Sequence, residues 1–248
     1  MYDAMQAETV QITGHGGEEI EAYLARPLDR GPHGAVVVIH HMPGYDRQTK
    51  EITRRFAVEG YLALCPNLYS REAPGASSDD AAAAVRAAGG VPDERLIGDV
   101  AGAARYLRAL SSSNGKVATI GYCSGGRQSF LAACSLELDA AVDCYGAFVV
   151  GKPPEQLTHL KVTPIVDLTP QLSCPLLGLF GADDQHPSPA QVAELEEALK
   201  AHSKTYEFHS YEGAGHAFFA VDRPSYRPEA AKDGWHRILA WFGRYLTV

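Results

Sequence analysis

Residues 117–134 read Val-Ala-Thr-Ile-Gly-Tyr-Cys-Ser-Gly-Gly-Arg-Gln-Ser-Phe-Leu-Ala-Ala-Cys. An apolar, partly β-branched run (117–120) enters a glycine-rich turn (121–126), and a helix is expected over 127–134. The turn matches G-x-S-x-G, a nucleophile elbow, with cysteine in the nucleophile position. Such a turn is so tight that small residues must stand two positions before and two after the nucleophile. Gly121 and Gly125 do so around Cys123, whereas the same spacing around Ser124 puts Tyr122 in the crowded place. Cys123 is therefore expected to present its side chain above the strand. It would stand at a helix N-terminus, where aligned peptide dipoles favour a thiolate.

On both sides of this turn, strand-like runs alternate with helical periodicities. Residues 10–13 and 20–26 look like two opening strands, and 35–40 (AVVVIH) like a strand buried on both faces. A helix is expected over 48–58, and a strand over 61–65 that Pro66 stops. Leu96, Val100, Ala104 and Leu107 recur at helical spacing, and Asn114-Gly115 marks a turn before the strand at 117. Further strands are expected at 140–145, 176–180 and 206–211. Helical stripes run through Val192, Leu195 and Leu199, and through Ala231, Trp235, Ile238, Phe242 and Tyr245. This alternation predicts an α/β fold, a mostly parallel central sheet with helices on both faces. One domain over 1–248 is expected, with rim excursions at 68–92, holding a short helix near 79–88, and at 151–173.

Composition narrows the function. The chain has 248 residues, 46% hydrophobic and 21% charged, which is enough to build a core and excludes a disordered chain. A net charge of −8 argues against nucleic-acid binding, which calls for basic patches. No apolar run approaches the roughly 18 residues that cross a bilayer, so no membrane association is expected. Residues 1–17 lack a basic region followed by an apolar core, and a cytoplasmic location is expected. The five cysteines are odd in number and lack CxxC spacing, so most read as small buried hydrophobes rather than disulfides or zinc ligands.

Two further signatures follow the elbow in the order nucleophile, acid, histidine. Gly181-Ala182-Asp183-Asp184 follows one strand and Gly213-Ala214-Gly215-His216 follows another, both at strand C-terminal ends where open α/β sheets bind ligands. His216 is the expected general base, oriented by a carboxylate. Asp184 is preferred for that carboxylate, with Asp183 the alternative. Oxyanion donors are expected from the Ser124 amide and from the Met42 amide, in the loop after the third strand. The adjacent His40 and His41 point to opposite faces of a strand and have no third ligand nearby, so no metal is expected.

These motifs together resemble the dienelactone hydrolase family of the α/β-hydrolase superfamily. The resemblance spans nearly the whole chain. It rests on the Gly-Tyr-Cys-x-Gly-Gly elbow at 121–126, Cys-Pro-Asn-Leu-Tyr at 65–69, Ala-Pro-Gly at 73–75, G-x-x-D at 181–184 and Gly215-His216. It implies an α/β-hydrolase fold and hydrolysis of a small lactone or carboxylic ester through a thioester acyl-enzyme, without a cofactor. Arg86 matches a carboxylate-binding arginine of the family. Two positions depart from the pattern: His41 replaces a glutamate near the resting thiol, and Ala220 replaces a second arginine. Arg223 and Arg227 follow closely and are candidates to supply that charge; His41 and Tyr145 complete the substrate-binding candidates. Open at this point are whether the substrate carries a carboxylate and whether the chain is a monomer or a homodimer. A non-catalytic small-molecule receptor on a hydrolase scaffold is the alternative, and a thiol redox sensor a third.

Overall fold

The computed structural model describes residues 4–157 and 159–247. Its strands are β1 (Met5–Thr13), β2 (Glu19–Pro27), β3 (His33–Ile39), β4 (Leu62–Pro66), β5 (Ser113–Tyr122), β6 (Ala140–Cys144), β7 (Leu176–Gly181) and β8 (Tyr206–Tyr211). Its helices are α1 (Arg47–Val58), α2 (Ser78–Ala88), α3 (Asp93–Ala109), α4 (Ser124–Ser135), α5 (Pro189–Ala201) and α6 (Pro228–Tyr245). The strands form one sheet in the order β1-β2-β4-β3-β5-β6-β7-β8. β1 and β2 pair antiparallel with each other, and β2 with β4; every other pairing is parallel. The protein thus has the expected α/β architecture.

Strand side chains alternate between faces, and the two cores follow that alternation. Ala35, Val37 and Ile39 of β3 join a core with Leu96, Val100, Leu107, Phe130 and Leu195 from α3, α4 and α5. Val36 and Val38 join the opposite core with Phe56 of α1 and Trp235, Ile238 and Phe242 of α6. Burial on both faces explains why β3 lacks any polar residue between Gly34 and Ile39. Helix starts follow local chemistry. Asp46 accepts from the Thr49 amide ahead of α1, Ser77 from Asp80 ahead of α2, and Ser188 forms a capping box with Gln191 ahead of α5.

Several boundaries differ from the sequence reading. β1 begins at Met5, five residues before the expected start, and pairs with β2 along its whole length. Its half-exposed edge position admits polar residues such as Gln6 and Glu8, which hid the period. β5 begins at Ser113 and runs through Asn114-Gly115, because His33 pairs with Ser113 before a register shift by Ala35. α4 starts at Ser124, immediately after the elbow, and α6 starts at Pro228, where a proline suits the first turn. The 151–173 excursion contributes two 3₁₀ turns, Glu155–Leu157 and Val166–Gln171. Among the described residues, no helix is long and apolar enough to cross a membrane.

Phe56 anchors the α1–α6 side: it is fully buried, with ring centroids of Trp235 at 5.3 Å and Phe242 at 5.7 Å. Phe56→Ala is expected to lower the free energy of unfolding by about 3–5 kcal/mol, read from urea denaturation of mutant and wild type.

Candidate active site

The elbow forms because three glycines leave no room for β-carbons. A β-carbon on Gly121 would lie 1.8 Å from the Gly125 carbonyl oxygen, and one on Gly125 would lie 2.5 Å from that of Ile39. One on Gly126 would meet Asp143 Oδ1 at 2.3 Å. Between them Cys123 takes φ 56° and ψ −122°, outside the usual range for a residue with a side chain. Its amide donates to the Cys144 carbonyl at 3.0 Å, and its carbonyl accepts from the Gly126 amide at 2.9 Å. Cys65, Cys134, Cys144 and Cys174 are buried in the cores, as packing residues; Cys123 is partly accessible.

The loops after β7 and β8 meet beside it. Gly181 closes β7, and a β-carbon there would lie 2.4 Å from the Ala214 carbonyl oxygen. The Asp183 amide donates to that same oxygen at 2.9 Å, locking the two loops together. This contact turns the Asp183 side chain to solvent and the Asp184 side chain inward, where it is 3% exposed. Asp184 Oδ1 accepts from the His186 amide at 2.9 Å, and Oδ2 lies 2.8 Å from His216 Nδ1. The other ring nitrogen of His216 is left for the Cys123 sulfur. Burial opposes the charged form of His216. Its hydrogen bonds to Asp184 and Cys123, and their negative charge, outweigh that and raise its pKa to about 10. The charged ring therefore stabilises the fold below pH 6.5, and that contribution is lost as pH rises through about 10. Tyr145, 2% exposed, stands edge-on to the His216 ring at 5.2 Å, so it is a wall behind the imidazole.

Opposite His216 lies the 40–46 loop. His40 is buried and its Nδ1 donates to the His41 carbonyl at 3.0 Å, while Nε2 accepts from the Leu68 amide at 3.2 Å. Burial holds it neutral, with a pKa lowered to about 4. His41 turns the other way, its Nε2 2.7 Å from Asp46 Oδ2. Burial of Asp46 favours its neutral form, but His41 and the Thr49 amide hold the carboxyl down at about 2. The Tyr69 hydroxyl donates to the Met42 carbonyl at 3.1 Å, bracing this loop against the 67–69 segment.

Cys123 stands on the shared wall of two cavities of about 70 and 60 Å³. The first contains Met42, Ser124 and Arg86; the second contains His41, Tyr145, His216 and Arg223. The candidate substrate residues are thus split between opposite sides of the sulfur. Among the described residues, neither Arg86 nor Arg223 forms an ion pair. Arg227 lines neither cavity. Its Nε donates to the Gly213 carbonyl and its Nη1 to those of Pro224 and Tyr226, all at 3.0 Å, which clamps the His216 loop. A larger, open cleft of about 930 Å³ lies between β2, the start of α1 and the 67–81 segment, and none of Cys123, Asp184 or His216 lines it.

Three supporting residues were not anticipated from sequence. Asp46 holds His41, and a capping position before a helix was its only signal. Arg127, 4% exposed, makes two 2.8 Å hydrogen bonds to Asp93 and one of 2.9 Å to the Thr163 carbonyl, joining the starts of α3 and α4 to the 151–173 excursion. Asp143 lies fully buried under the elbow, where Oδ1 accepts from the Gly146 amide at 2.7 Å, and burial pushes its carboxyl up to about 7. Nothing local in the sequence marks the last two.

Known proteins share this arrangement's frame. The dienelactone hydrolase family profile matches residues 20–246. The chain is 35% identical over 246 residues to an Escherichia coli K12 protein assigned as a carboxymethylenebutenolidase, covering 98% of this chain and 89% of that one. It is 30% identical over 249 residues to a Bradyrhizobium protein assigned as a 2-oxo-3-(5-oxofuran-2-ylidene)propanoate lactonase, covering 98% of each. A crystal structure from Klebsiella pneumoniae, of a protein assigned as a dienelactone hydrolase, matches with a TM-score of 0.84 at 34% identity, over 98% of this chain and 100% of that one. With an α/β-hydrolase sheet, an elbow carrying cysteine and this sequence kinship, the chain belongs to the dienelactone hydrolase family.

Proposed function

We propose that this hydrolase of the dienelactone hydrolase family cleaves a small lactone or carboxylic ester through a thioester on Cys123. The observation that carries the reading is the line from Cys123 to His216 to Asp184, set at the C-terminal ends of β5, β8 and β7. Cys123 as thiolate attacks the carbonyl carbon, and the Ser124 and Met42 amides receive the oxyanion. Collapse breaks the C–O bond, and the leaving oxygen takes the proton held by His216. Neutral His216 then removes a proton from water, which attacks the thioester and expels Cys123 as thiolate. In a lactone the leaving oxygen stays tethered, so the single product is a hydroxy acid. Asp184 orients His216 and offsets the imidazolium charge.

Arg86 supports a substrate with a carboxylate on the acyl side, because its guanidinium reaches the cavity beside Cys123 without an acidic partner among the described residues. His41, fixed by ionised Asp46, lines the other cavity and supplies a hydrogen-bonding imidazole where Ala220 supplies none.

Cys123→Ala is expected to lower kcat/KM on a panel of small esters and lactones by about 10⁴-fold or more. Equal rates in variant and wild type would overturn the mechanism. Asp184→Asn should cost between about 10²- and 10⁴-fold, while Asp183→Asn stays near wild type. Because His216 must be protonated to act as acid, kcat/KM should fall as pH rises through about 10. NMR titration of His216 should give the same value, and in Asp184→Asn it should move down toward that of a free histidine. Arg86→Gln should raise KM for a carboxylated lactone about tenfold and spare its neutral counterpart.

A further inference from the structure

The cavity that holds His216 does not end at the active site. Ile52, Tyr122 and Phe219 line it and also line a neighbouring hollow of about 190 Å³. Arg55, Phe219, Val221 and Trp235 of that hollow in turn wall a third, of about 240 Å³, which reaches Lys232. Sharing walls two by two, the three lie side by side in a row leading from Cys123 along the flank of α1 to the start of α6.

The chemistry changes along this path. Near Cys123 it is aromatic, with Tyr122 and Phe219 both buried and their ring centroids 5.5 Å apart. Midway stands Val221, 62% exposed, which with Leu28 is one of two large apolar side chains left so open among the described residues. At the outer end the Arg55 guanidinium lies 3.8 Å from the Trp235 ring centroid. Neither Arg55 nor Lys232 forms an ion pair among the described residues. Glu51, the acid on this wall, is already engaged by Arg47 at 2.9 Å. A largely apolar path therefore ends at two cations without ion pairs among the described residues.

We propose that this groove binds the alcohol side of an open-chain ester, through an aromatic or branched apolar arm that ends in an anionic group. The inference rests on the proposed Cys123–His216 chemistry for its direction. His216 gives its proton to the leaving oxygen and lines the inner end of the groove. Met42, Ser124 and Arg86 line the opposite cavity, on the acyl side. The arm is the alcohol, so cleavage frees it with its new hydroxyl proton while the acyl group stays on sulfur until water removes it.

The test compares acetate esters of methanol, 3-phenylpropanol and 3-(4-carboxyphenyl)propanol. kcat/KM should rise about tenfold from the first to the second as the aromatic arm leaves water. It should rise a further two- to fivefold for the third, through KM, as expected for a partly exposed charge pair. Arg55→Gln combined with Lys232→Gln should erase the difference between the second and third esters. Val221→Asp, at an exposed position, should invert it by repulsion. A flat series, or a carboxylate preference that survives the double variant, overturns the proposal. Calorimetry with free 3-(4-carboxyphenyl)propanol separates the two readings. Binding to wild type that weakens in the double variant, without turnover of any ester, supports the groove and overturns the catalytic reading. No binding, with methyl acetate still hydrolysed, overturns the groove alone. No binding and no turnover overturn both.

Discussion

The carbonyl oxygen of Gly125 sits where a β-carbon on Gly121 would have to go. That single crowded contact lets β5 turn directly into α4, and the rest of the site is arranged around it. Gly125 in turn presses on the carbonyl of Ile39 at the end of β3, and Gly126 on Asp143 and Gly146 at the end of β6. The three central strands therefore converge on one point of the sheet's rim. A side chain at Gly121 would separate them, lower Cys123 relative to His216 and remove α4's N-terminus from the sulfur. Backbone sterics, more than any attraction, set where chemistry can occur.

Charge is arranged locally against the trend of the whole molecule. The chain carries a net charge of −8, yet Arg86 and Arg223 line the two cavities at Cys123, and Arg55 and Lys232 the hollows beyond, without ion pairs among the described residues. Other cations are already spoken for: Arg127 by Asp93, Arg71 by the fully buried Asp99, Arg95 by Glu72. These pairs hold the excursions and the first hairpin in place, and they leave the unpaired arginines as the ones able to meet an anion. Desolvation strengthens such a meeting near the sulfur and weakens with distance along the open groove.

Features fixed by local sterics were the most legible in the sequence. The glycine spacing selected Cys123 over Ser124 because the argument needs only neighbouring residues, and the two-faced burial of β3 followed from its unbroken apolar run. Asp183 and Asp184 could not be separated that way, since their orientation depends on Ala214 in a loop about 30 residues later. Arg127 and Asp93 are 34 residues apart and lack any shared motif, so only the fold brings them together. The N-terminal half of β1 was concealed by its edge position, where polar outward side chains cost nothing. Arg227 was open for a related reason: closeness in sequence to His216 says nothing about which backbone carbonyls its guanidinium reaches.

The division of the five cysteines has a practical side. Four are sealed in the two cores and one opens onto the cavities. In the native protein a thiol-alkylating reagent therefore reaches Cys123 alone of the five, one equivalent per chain, and unfolding brings the count to five. A preparation's folded fraction can be weighed by mass spectrometry before any substrate is known.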